Sequence, residues 1–125
     1  MKSGLMEINA VIGVWGSLII NNQADIVVNT CPPDLNGAAL SNINSHVVDL
    51  LTSAGESLSG LTEAVVHYSQ KKIFVLDLEQ LILVVICTPS VDISLLRMTA
   101  NVVLTNWQAD PKIQKQFKSN FVERL

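Results

Sequence analysis

Residues 62–87 read TEAVVHYSQKKIFVLDLEQLILVVIC, and this stretch decides the fold. It holds three strand-like runs, Thr62–Tyr68, Ile73–Leu78 and Leu81–Cys87, separated only by Ser69-Gln70-Lys71-Lys72 and Glu79-Gln80. Connections this short join antiparallel neighbours, because a parallel crossover needs roughly a dozen residues or more. Leu81–Cys87 is apolar at every position. That is the pattern of a central strand covered on both faces. Pro89 and Ser90 end it.

Upstream, Val14–Ile20 and Ile26–Thr30 form a hairpin across Asn21-Asn22-Gln23-Ala24, and Cys31-Pro32-Pro33 stops the second strand because proline cannot donate to a ladder. Leu5–Ile8 reads as a last helical turn closed near Gly13. Asp34 is the expected N-cap of a long helix reaching about Ala54, with Gly55 and Gly60 bracketing its exit. Its apolar side chains (Leu35, Ala39, Leu40, Ile43, Val47, Leu50, Leu51, Ala54) cover an arc of about 160° at roughly 100° per residue. Packing on one sheet needs about 100°, so the surplus points to a second body, with deep burial in the helix's own core as the alternative. Downstream, Asp92 or Ser90 caps a helix to about Gln108. Its Leu96, Thr99, Ala100, Val103 and Trp107 share one side. The expected class is α+β, a five-stranded antiparallel sheet with helices on its faces in the order (α)ββαβββα plus a C-terminal helix.

Composition sets outer limits. The chain has 125 residues, enough for one core, and no repeat or low-complexity tract. Charged residues make up 15%, against about 25% in ordinary soluble domains. That points either to apolar surface meeting another protein or to unusually buried strands. Net charge is −3, unevenly placed. Residues 1–109 carry four basic and nine acidic side chains (−5), and residues 110–125 carry four and two (+2). An acidic body excludes the basic patch that phosphate backbones require, so no nucleic acid is expected. Cys31 and Cys87 form no disulfide framework or C-x-x-C pair. The longest apolar stretch, Ala10–Ile20, is short of a membrane span and poor as a secretory signal. A cytoplasmic protein is expected.

The sequence carries no complete catalytic or ligand-binding constellation. Gly55-Glu-Ser-Leu-Ser-Gly60 mimics a phosphate loop but lacks a lysine at position 61, and it runs from helix to strand, where the helix carbonyl end repels phosphate. His46 and Asp49 lie one helical turn apart without a third metal ligand. Cys31 and Cys87 lack an activating base. Asp77 and Glu79 alternate on a strand face, as solvated edges do. The expectation is a noncatalytic protein with no metal and no cofactor. The tail differs: Ile113, Phe117 and Phe121 recur every four residues between Lys112, Lys115 and Lys118. Residues 110–125 are therefore set apart from the 1–109 domain as an amphipathic helix. It can dock on its own sheet or dimer mate, on a partner protein, or least favourably on a membrane.

The order of elements, carried by Ile12–Ile20, the helix after Asp34, Glu63–Tyr68, Leu81–Cys87 and Asp92–Arg97, resembles the roadblock/dynein light-chain family, with its profilin-like fold, over about Ile8 to Leu104. The chain departs from that family in lacking a glycine in its first hairpin, where an asparagine is expected to take the positive φ, and in the shortness of its first helix. The resemblance implies a homodimer or heterodimer in which the long middle helices pack together and the third strands pair edge to edge. It also implies a scaffold or regulator of small Ras-like GTPases, among them bacterial motility and lysosomal signalling GTPases, or of dynein motor complexes. It places Leu40, Asn44, Val47 and Leu51 near the dimer axis and Val65 and His67 on the pairing strand. The rival reading is a small-molecule sensor of the PAS type, to which profilin-like sheets are close in layout.

Overall fold

The computed structural model describes residues 1–35, 38–57, 63–68, 70–78 and 81–120, with the side chains of 38, 53–57 and 120 left aside. The elements are α1 (Lys2–Asn9), β1 (Val14–Ile20), β2 (Ile26–Asn29), α2 (Ala38–Ser57), β3 (Glu63–His67), β4 (Lys72–Asp77), β5 (Ile82–Cys87), α3 (Ile93–Gln108) and α4 (Pro111–Asn120). The strands form one sheet in the order β2-β1-β5-β4-β3, antiparallel throughout. This is the α+β architecture expected, in three layers.

Strand alternation divides the core. Leu18, Ile20, Ile73, Val75, Ile82, Val84 and Ile86 face α2, where Leu40, Ile43 and Val47 meet them. Ile19, Phe74, Leu76, Leu83, Val85 and Cys87 face the other layer, where Leu5 and Ile8 of α1 join Leu96, Ala100, Val103 and Trp107 of α3 and Phe117 of α4. Every residue of β5 is buried, so its unbroken apolar run is explained by helices on both faces.

Three local expectations are corrected. First, α2 starts at Ala38, so Asp34 is not its N-cap; the Leu35 amide instead closes a turn onto the Pro32 carbonyl at 2.9 Å. The same helix passes through Gly55 to Ser57, and Gly60 lies outside the described residues. Second, α1 is a complete eight-residue helix rather than a single turn. Leu5 and Ile8 are fully buried. Ser17, also fully buried, bonds Asn9 Oδ1 (2.7 Å) and Thr30 Oγ1 (3.1 Å), which pins the end of α1 to the hairpin. The short helix therefore covers its part of the sheet with few residues. Gly4 makes this possible, since a Cβ there would lie 2.7 Å from Val103 and 2.8 Å from Trp107. Third, the residue at positive φ in the first hairpin is Ala24 (68°), not an asparagine. Asn21 imposes it: its Oδ1 accepts from the Gln23 and Asp25 amides at 2.9 and 3.0 Å. Asp92 caps α3, its carboxylate accepting from the Leu95 amide at 3.1 Å.

Candidate protein interface

At the sheet edge, β3 is hydrogen-bonded to β4 on one side and to nothing on the other among the described residues. Antiparallel bonding alternates along a strand, and the Tyr68 amide bonds the Lys71 carbonyl at 2.9 Å. With the register Val66↔Ile73 and Ala64↔Val75, the backbone groups of Ala64 and Val66 are spent on β4. Those of Glu63, Val65 and His67 point outward. Both sheet faces brace the strand. Arg97 Nε of α3 holds Glu63 Oε1 at 2.7 Å. His46 Nδ1 of α2 lies 3.0 Å from the Tyr68 hydroxyl, the rings packed edge to face at 6.4 Å. An open edge held straight in this way is a template for another strand. Val65 is half-buried and His67 exposed.

Next to it, α2 spends most of its apolar face at home. Leu40 and Val47 are 2% exposed and pack on the chain's own sheet, Leu51 is half-buried, and Leu50 is exposed. The helix therefore has less spare apolar surface than its 160° arc implied. The sheet takes a wide arc because β1, β4 and β5 all send side chains to it. Asn44 is 1% exposed, and neither its Oδ1 nor its Nδ2 has a hydrogen-bond partner. The sequence pattern did not anticipate this orphan amide, although an asparagine among Leu40, Ile43 and Val47 was its only signal.

No protein-family model matches the sequence, and no curated protein matches it. Solved structures do. A roadblock/LC7 domain from Streptomyces avermitilis superposes with a TM-score of 0.71 at 13% identity, over 87% of this chain and 95% of that one. The gliding protein MglB from Thermus thermophilus gives 0.68 at 13%, over 82% and 81%. MglC from Myxococcus xanthus gives 0.59 at 18%, over 92% and 97%. The chain has the roadblock/LC7 fold.

In this roadblock fold the remaining candidate residues are placed as follows. His46 is engaged with Tyr68, and no group of three potential metal ligands occurs among the described residues. Burial pushes the Cys31 thiol up to about 11 and Cys87 up to about 12, so neither supplies a thiolate near neutral pH. The Gly55–Gly60 stretch is helix as far as Ser57, with the rest outside the described residues, as is Glu79. In the tail, Phe117 is 6% exposed and meets Trp107 edge to face at 6.3 Å, while Ile113 is half-buried beside the same core. Gln114 Nε2 donates to the Trp107 carbonyl at 2.9 Å; Phe121 lies outside the described residues. A shallow pocket of about 150 Å³ opens between α1, α3 and α4, lined by Glu7, Asn106, Trp107 and Asp110 among others. Small-molecule sites span roughly 300–1,000 Å³, so this pocket does not favour the sensor reading. No described helix is long and apolar enough to cross a membrane.

Proposed function

We propose that this chain is a noncatalytic homodimeric scaffold or regulator, acting in the cytoplasm on a small Ras-like GTPase or a motor complex. The observation that carries the reading is the braced, open edge of β3 beside α2. Two copies pairing antiparallel about Val65 would bond Val65 to the partner's Val65 and set Glu63 opposite the partner's His67. All three outward backbone positions would then be satisfied, with no like charges facing across the strands. The roadblock/LC7 fold and the resemblance of the sequence to GTPase-regulating roadblock proteins support the second half of the reading. Residues 1–109 would form the dimerising domain, and α4 would stay docked through Ile113 and Phe117.

Sedimentation equilibrium at micromolar concentration tests the dimer. His67→Glu sets two carboxylates opposite each other twice per dimer and is expected to weaken it by roughly fivefold, at about 0.5 kcal/mol per pair. A wild-type monomer under these conditions would overturn the reading. Pull-down of a small Ras-like GTPase in its GDP and GTP states tests the partner, with retention that depends on the nucleotide expected.

A further inference from the structure

The pocket between α1, α3 and α4, about 150 Å³ in volume, joins an apolar lining to acidic groups. Val103 and Trp107 are buried and Ile113 is half-buried. Glu7 of α1 and Asp110, which precedes α4, bring two carboxylates, and no basic side chain lines the pocket. Neither carboxylate is in an ion pair among the described residues, where the one such pair is Arg97 with Glu63. Asp110 Oδ1 accepts from the Lys112 amide at 2.9 Å, which leaves its second oxygen for a guest. Trp107 gives an independent sign. Its side chain is 4% exposed, yet its indole N–H has no acceptor among the described residues. A buried indole normally finds one. A Cβ on Gly4 would lie 2.8 Å from the indole Nε1, so the N–H edge of the ring is turned to α1, the wall that Glu7 belongs to.

We infer that this pocket receives an arginine side chain presented by a partner protein. Charge selects the sign of the guest: two unpaired carboxylates in an acidic chain of net charge −3 call for a cation. Volume selects its size. A cavity of about 150 Å³ admits a benzene-sized group, and a guanidinium with its last two methylenes has the same number of heavy atoms. Sites for whole metabolites are roughly two to six times larger. Shape and hydration select guanidinium over ammonium. Its flat fork can bond carboxylates from separate edges, and it is more weakly hydrated, so it gives up less on entering a partly apolar site. Arginine brings donors only, so the indole N–H falls to a backbone carbonyl of the same partner segment. The pocket is built from α1, α3 and α4 and takes nothing from β3. It therefore stands whether or not two copies pair.

The indole N–H resonance of Trp107 in a nitrogen-15 spectrum, assigned by its survival in Trp15→Phe, is the readout. Titration with N-acetyl-L-arginine methylamide at low salt should move it, with a dissociation constant on the order of 1 mM for so small a ligand. The neutral citrulline analogue should leave it in place, and the lysine analogue should bind severalfold more weakly. Glu7→Gln and Asp110→Asn should each weaken the arginine compound by about threefold or more. Asparagine caps a helix as well as aspartate does, so Asp110→Asn keeps the start of α4 and removes only the charge, which an otherwise unchanged amide spectrum verifies. The inference is overturned if the resonance stays put at ten times the expected dissociation constant, if the citrulline or lysine analogue binds as tightly, or if both folded variants bind like the wild type. A chain that proves monomeric would sink the β3 dimer and leave this titration intact.

Discussion

Replacing Asn44 by leucine should stabilise the protein. The side chain is 1% exposed, and both polar atoms of its amide lack partners. A buried polar group without hydrogen bonds costs about 1–3 kcal/mol relative to water. Leucine branches at the same atom and carries the same number of heavy atoms. It removes the orphan amide, adds apolar contact with the cluster of Leu40, Ile43 and Val47, and has the higher helix propensity by a few tenths of a kcal/mol. The expected gain is about 1–3 kcal/mol. For 125 residues the unfolding entropy is about 0.26 kcal/mol/K, so Tm should rise by about 4–12 °C in calorimetry or denaturant titration. Asn44→Asp buries a carboxylate at the same place and should lower Tm at neutral pH. Because Asn44 is covered by its own protomer, the gain should not change over a hundredfold range of protein concentration. A leucine variant that melts lower, or a shift that grows with concentration, would show that the amide finds its partner across an assembled interface and would refute the reasoning.

Three further changes test other links. Asn21→Ala removes the acceptor that serves the Gln23 and Asp25 amides and holds Ala24 at positive φ. It should cost about 1–2 kcal/mol in urea titration, with Ala24→Gly recovering part of the loss. Phe117→Ala empties the contact with Trp107 and should cost about 2–4 kcal/mol, somewhat less than a central core Phe because α4 is a terminal element; the near-ultraviolet Trp signal should change with it. The thiols are raised in the fold, Cys31 to about 11 and Cys87 to about 12. Their contribution to stability is therefore complete below the ordinary thiol range and lost as pH rises through 11–12. Native protein at pH 8 should react slowly with a disulfide reagent and quickly once unfolded.

The strands were legible because their signals are local. Ser69-Gln70-Lys71-Lys72 and Glu79-Gln80 leave room only for hairpins, and the apolar run ending at Cys87 admits only a central place, which β5 occupies. The start of α2 was misplaced because Asp34 satisfies a capping rule that the turn from Pro32 to Leu35 overrides. The first hairpin was expected to use an asparagine at positive φ. It uses Ala24, because the Asn21 side chain holds the turn from one end and leaves the left-handed position to its neighbour. The polar ties of Asn9 to Ser17 and Thr30, and of His46 to Tyr68, link residues 8–22 positions apart. No periodicity carries such pairings.

The proposed interface is the least legible part, for a reason intrinsic to helices. A side chain that faces its own sheet and one that faces a twin subunit recur with the same period, so apolar arc alone cannot divide the two. The coordinates give Leu40 and Val47 to the protomer's own sheet and leave Leu50 and part of Leu51 outside. For the proposed dimer, the edge of β3 is thus the more direct support beside α2. There, backbone groups of Glu63, Val65 and His67 that no strand takes up among the described residues sit on a strand fixed by Arg97 on one face and Tyr68–His46 on the other. Unlike a greasy helix face, an open edge cannot be satisfied by sinking deeper into its own fold. Either water or another strand must take those groups, and a strand held ready has already met much of the entropic cost of pairing.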